Sequence, residues 1–72
     1  MKNETVAVGI DLGSASLHTA VVRESDTSIV EAQSYMHFGK MWDILAQVTH
    51  RIAQTYNVKG FAFTGIGGEL AA

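Results

Sequence analysis

Residues 5 to 14 read Thr5-Val6-Ala7-Val8-Gly9-Ile10-Asp11-Leu12-Gly13-Ser14. Val6, Val8 and Ile10 fall on one side of an extended chain and Ala7 and Gly9 on the other, the period of two that marks a strand, here over about residues 5–11. With apolar or small residues on both sides, both faces are expected to be buried. Asp11 ends the apolar run, so its carboxylate is expected beyond the edge of the sheet. Leu12-Gly13-Ser14-Ala15-Ser16 then supplies small, turn-forming residues.

The β-branched run that follows predicts a second strand over about 17–23, joined to the first as a hairpin. The polar stretch Arg23-Glu24-Ser25-Asp26-Thr27 forms the next turn, and residues 28–36 form a third strand. The period then changes. Met41, Ile44, Leu45, Val48 and Ile52 recur at three- and four-residue steps, while Lys40, Asp43, Gln47, Arg51 and Gln54 lie mostly opposite, which predicts a helix over about 40–56. Asn57 and Gly60 are expected to shape its exit through left-handed geometry. Lys59 to Thr64 resumes a strand, placed over about 60–65.

The order βββαβ defines an α/β chain. If the first three strands form a meander, a right-handed helical crossover lays strand four against the free side of strand one, giving a mixed sheet of order 3-2-1-4. Asp11 and the glycines after Thr64 then meet at one sheet edge, where α/β sheets bind ligands.

Composition narrows the function. The 72 residues carry five Lys plus Arg against seven Asp plus Glu, so there is no basic surface for nucleic acid. No cysteine is present, which removes disulfides, thiol nucleophiles and thiolate metal sites within these residues. No apolar run approaches the roughly 20 residues that span a bilayer, and a cytoplasmic location is expected.

Two loops carry the candidate chemistry. Asp11 can hold a hydrated magnesium ion. The amides of Gly13, Ser14 and Ala15, with the Ser14 hydroxyl, can donate to phosphate oxygens. Thr64-Gly65-Ile66-Gly67-Gly68 is a second glycine-rich loop, able to line a nucleotide cleft without side-chain obstruction. The plainer alternative for both is a turn that uses small residues for conformational tolerance. His18, His37 and His50 form no HxH or HxxxH pair and are expected at the surface or its boundary. Met36, Phe38, Met41 and Trp42 are expected to pack the strand-to-helix joint. Two-metal nuclease chemistry of the ribonuclease H type requires several converging carboxylates. Asp43 lies early in the helix and strand four has no acid, so that chemistry is disfavoured.

Gly9-Ile10-Asp11-Leu12-Gly13-Ser14, the meander, one helix and then Phe63-Thr64-Gly65-Ile66-Gly67-Gly68 together resemble the start of the actin, sugar-kinase and Hsp70 ATPase superfamily, with its ribonuclease H-like fold. Tyr35-Met36-His37-Phe38-Gly39 and Thr64-Gly65-Ile66-Gly67-Gly68-Glu69-Leu70 are similar to the large members of the BadF/BadG/BcrA/BcrD ATPase family, activators of 2-hydroxyacyl-CoA dehydratases and benzoyl-CoA reductases.

The resemblance implies an amino-terminal part of a single, incomplete ATPase subdomain that binds ATP and magnesium. Asp11 would hold the ion through water, Gly13, Ser14 and Ala15 would form the first phosphate loop, and Gly65, Gly67 and Gly68 would border the cleft. It also implies a [4Fe-4S] cluster held by cysteines elsewhere, ATP-driven electron transfer to the CoA-substrate enzyme, and no activity in these residues alone. His18 stands where many relatives have lysine. The runner-up is a small-molecule kinase of the pantothenate kinase type, against which Ser14 weighs. A non-enzymatic interaction module is the alternative from a different class. Strand four would be an exposed edge, so self-association is expected.

Overall fold

A computed structural model describes residues 4–65. The strands are β1 (Thr5–Leu12), β2 (Ser16–Arg23), β3 (Ile29–Met36) and β4 (Asn57–Thr64), with one helix, α1 (Met41–Thr55), between β3 and β4. They form a four-stranded mixed sheet of order β3-β2-β1-β4, as expected. β1 pairs antiparallel with β2, from Val6 opposite Arg23 to Leu12 opposite Leu17, and parallel with β4 on its other side.

The helix lies on one face of this sheet, and the alternation of β1 decides which residues meet it. Val6, Val8, Ile10 and Leu12 are buried together with Leu17 and Val21 of β2 and with Val48 and Ile52 of α1. Met41, Ile44, Leu45, Tyr56 and Val58 pack around that core. An isolated helix of this length is marginal in water, so this apolar face is what keeps α1 helical. Arg51 on its flank bonds the Glu31 carboxylate of β3 at 2.6 Å and the Tyr35 hydroxyl at 3.2 Å. That guanidinium holds the Glu31 carboxyl below its usual range, against the opposing effect of burial. Thr19 is the exception in the core. It is buried on β2 and its hydroxyl has no partner.

Five expectations need correction. β1 is not buried on both faces: Ala7 and Asp11 are exposed and Gly9 only half-buried, because α1 covers one side of the sheet. β4 starts at Asn57, three residues early, and the helix leaves without left-handed residues. Tyr56 is already extended, at φ −127° and ψ 163°, and the Asn57 amide donates to the Glu4 carbonyl at 2.8 Å. A register shift between Val6 and Ala7 then absorbs Lys59, so the apolar part of β4 still comes into step with β1.

The aromatic and thioether cluster does not pack inward as a unit. Met36, Phe38 and Trp42 are 57%, 82% and 62% exposed, and of the four only Met41 touches the core, because α1 begins beyond the end of β3 and turns a different stripe toward the sheet. Finally, His37 is no surface residue, being 4% exposed. His18 and His50 are exposed, as expected.

Candidate functional site

The uncovered face of the sheet is made of small residues. Pairing registers place Ala7 beside Val22, Gly9 beside Ala20 and Ala62, and Ala20 beside Ala32 on this face. Gly9, Ala20 and Ala62 floor a shallow depression of about 250 Å³. At one end of it, each strand contributes one polar residue in a single row. Ser34 of β3, His18 of β2, Asp11 of β1 and Thr64 of β4 are successive cross-strand partners.

That row is hydrogen-bonded at both ends. The Thr64 hydroxyl donates to Asp11 Oδ1 at 3.0 Å, and the Ser34 hydroxyl lies 2.7 Å from His18 Nδ1. The second ring nitrogen of His18 is 3.4 Å from the Ser16 hydroxyl. Asp11 is exposed. The chain therefore brings one solvent-facing carboxylate to the carboxyl end of β1, with a hydroxyl from the neighbouring parallel strand steadying one of its oxygens.

The loop between β1 and β2 lies next to Asp11, and its amides are not equivalent. Gly13 N–H donates to the Ser16 carbonyl at 2.8 Å, so it is spent within the turn and is not a free phosphate donor, contrary to the sequence-based expectation for Gly13. Ser14 and Ala15 are exposed, and among the described residues neither amide has an acceptor. The usable donors are thus two amides and the Ser14 hydroxyl.

Gly65 closes the other side. It forms a bridge with Leu12, and its φ is +86°. A Cβ there would lie 2.3 Å from the Leu12 carbonyl oxygen and 2.9 Å from Asp11 Oδ1, so only glycine lets the chain pass this close to the carboxylate. The Gly65→Ala chain is expected to release the end of β4, raising amide exchange at Phe63 and Thr64 by on the order of tenfold to a hundredfold while the β1–β2 ladder is unchanged. Unaltered exchange at these two amides would show that the close approach is not needed. Gly67 and Gly68, the other expected cleft residues, lie outside the described residues.

No protein-family model, curated protein or solved structure matches the chain. Function therefore rests on the geometry just described. Among the described residues no three His, Asp or Glu side chains gather into a metal-binding group, and no helix is long and apolar enough to cross a membrane. Two contributors to this region were not singled out from the sequence as functional: Thr64, whose hydroxyl reaches Asp11, and His37, whose ring Nε2 is 3.0 Å from the Gly13 carbonyl. The first was legible only in part: strand order 3-2-1-4 sets β4 beside β1, but the register shift at Lys59 decides that Thr64, and not Phe63, faces Asp11. No local pattern marks the second, since the contact joins residues 24 apart in sequence.

Proposed function

We propose that these residues form one wall of a magnesium–nucleotide site in a ribonuclease H-like ATPase subdomain, belonging to a cytoplasmic activator of a CoA-substrate enzyme of the 2-hydroxyacyl-CoA dehydratase or benzoyl-CoA reductase type. The observation that carries the magnesium–nucleotide part of the reading is the meeting, at the ends of two neighbouring parallel strands, of one exposed carboxylate, Asp11, with a loop offering a serine hydroxyl and two amides that have no acceptor among the described residues; the activator part rests on the likeness of the motifs alone.

The donor set fits the group. Magnesium keeps several waters and is commonly held by one or two carboxylates together with substrate phosphates, so a single acid suffices. Asp11 would hold the ion through water, and Ser14 and Ala15 would bind phosphate oxygens. The bound ion supplies neutralisation of phosphate charge. A [4Fe-4S] cluster and the electron-transfer step belong, in this reading, to cysteines outside these residues.

The test is calorimetric titration of magnesium–ATP into this chain and into the chain encoded by its complete reading frame. Magnesium-dependent binding by the latter supports the reading, and binding by neither overturns it.

One further observation supports a contribution from a second molecule. Beyond β4 the sheet has no further strand among the described residues, and Phe61 and Phe63 stack on that strand, partly exposed, with ring centroids 6.4 Å apart. Such an edge is a template for another chain. The 72-residue chain is expected to self-associate, its mass in sedimentation equilibrium rising with concentration. A constant monomer mass would count against this.

A further inference from the structure

His37 is a buried, titratable side chain to which the proposed nucleotide site gives no role. It follows β3, on the opposite side of the β1–β2 loop from Asp11's neighbours on β4. Its ring is held at both nitrogens. Gly39 N–H lies 3.2 Å from Nδ1, and a backbone N–H can only donate, so Nδ1 is the acceptor and carries no proton. The neutral ring then has its proton on Nε2, which donates to the Gly13 carbonyl at 3.0 Å. The main chain of the same residue adds a third tie, His37 N–H to the Ala15 carbonyl at 3.1 Å.

These ties fix the loop in a definite way. The carbonyls of Gly13 and Ala15 are both turned to His37, and the Gly13 amide is turned to Ser16. Among the described residues, what remains unpartnered in the loop is the pair of amides at Ser14 and Ala15.

The cost of the arrangement is visible on the other side of the ring. Bringing Gly39 N–H back onto Nδ1 puts Phe38 and Gly39 at φ +50° and +82°, a left-handed pair in which the first residue is a bulky aromatic. Backbone of this kind persists where surrounding contacts over-determine it. Here those contacts are the two ring hydrogen bonds and the Lys40 N–H donated to the His37 carbonyl at 2.8 Å.

We propose that His37 is a positioning residue: as the neutral Nε2–H tautomer it clamps the Gly13–Ala15 loop to the Phe38–Gly39 turn, and so presents the Ser14 and Ala15 amides to an anionic ligand. The clamp stands on the geometry alone, whereas its consequence for phosphate rests on the nucleotide reading above.

The two amide-bearing replacements separate the clamp from mere filling of space. A glutamine amide reaches the Nε2 position and keeps a donor for Gly13, and an asparagine oxygen takes the Nδ1 position and keeps an acceptor for Gly39. Nitrogen-15 spectra of the intact chain are expected to show the His37 ring protonated at Nε2 and bare at Nδ1. His37→Leu is expected to speed Gly39 amide exchange by roughly tenfold, the size of effect that follows from losing one hydrogen bond, and to move the Gly13 carbonyl carbon resonance upfield, as on loss of the ring donor to that oxygen. His37→Gln should restore the Gly13 carbonyl shift alone and His37→Asn the Gly39 exchange alone.

If His37→Leu does not fold, the Gln and Asn chains are compared directly, and the same crossed pattern is required. A ring protonated at Nδ1, or a Gly13 carbonyl shift indifferent to the choice between Gln and Asn, overturns the proposal. Magnesium–ATP titration of the His37→Asn protein then reads the phosphate consequence, with affinity expected to fall roughly tenfold. A clamp that behaves as described in a protein that binds no nucleotide would refute the nucleotide reading and leave the positioning role intact.

Discussion

Replacing Ile52 by alanine is expected to remove about 2–5 kcal/mol of stability, the range for truncating a fully buried isoleucine whose site cannot collapse. A chain of this size has roughly 4–11 kcal/mol in total, so the substitution removes from about a fifth of that stability to all of it. The reason lies in the architecture. α1 covers one face of the sheet, and Ile52 and Val48 are its only buried residues. Ile52 is completely inaccessible and packs in the same cluster as Val6, Val8 and Val21. Among the described residues no second layer covers the other face to share the load, as the exposure of Ala7 and Asp11 shows. Urea unfolding followed by circular dichroism is the appropriate measurement, because Trp42 is mostly solvent-exposed already and its fluorescence reports little of the core. Gln54→Ala, at an exposed position on the same helix, is expected to change stability by less than about 0.5 kcal/mol. A loss below about 1 kcal/mol for Ile52→Ala would mean that α1 is not docked as described.

The topology was legible because each element announces its own period. Val6, Val8 and Ile10 alternate on β1, while Met41, Leu45, Val48 and Ile52 step by three and four, and the short loops of the meander leave few ways to connect them. What was not legible came from two physical sources. The first is that small apolar residues are ambiguous. Ala7 and Gly9 read as buried, yet they form a bare face, and nothing in a strand's own sequence says how many layers the fold will have. The second is long-range hydrogen bonding. His37 between Met36 and Phe38 looks like an exchangeable boundary residue, and only the fold brings the Gly13 carbonyl to its ring. The three apolar residues around it, Met36, Phe38 and Trp42, were expected inside and are outside. Polarity alone therefore gave the wrong answer on both sides of the same joint. At the site itself, Asp11 was legible as the acid of an apolar strand, but the strand runs on to Leu12, so Asp11 stands within the ladder on the uncovered face and not beyond the sheet edge. The division of labour among the loop amides was not, because it depends on the turn that spends Gly13 N–H on the Ser16 carbonyl.

Asparagine at position 11 is expected to leave the fold intact and to abolish the magnesium dependence of nucleotide binding. The substitution is close to isosteric, and the asparagine oxygen can still accept the Thr64 hydroxyl that now lies 3.0 Å from Asp11 Oδ1. Asp11 is exposed and makes no ion pair among the described residues, so stability is expected to shift by no more than about 0.5 kcal/mol. What the change removes is the negative charge, and with it the ligand a hard, hydrated divalent ion requires. In the protein encoded by the complete reading frame, ATP affinity measured with magnesium is expected to fall to the value measured without it. Any ATP turnover is expected to drop on the order of a hundredfold or more, as when one electrostatic contact to developing charge is deleted. Glu24→Gln serves as the control, since it removes a carboxylate of equal charge that is bonded to Lys59, on a residue outside the polar row. If magnesium strengthens ATP binding equally in the wild-type and Asp11→Asn proteins, the ion is held elsewhere. The acid at the end of β1 would then be only the acceptor that anchors Thr64, and the case for a nucleotide site at this edge would fail with it.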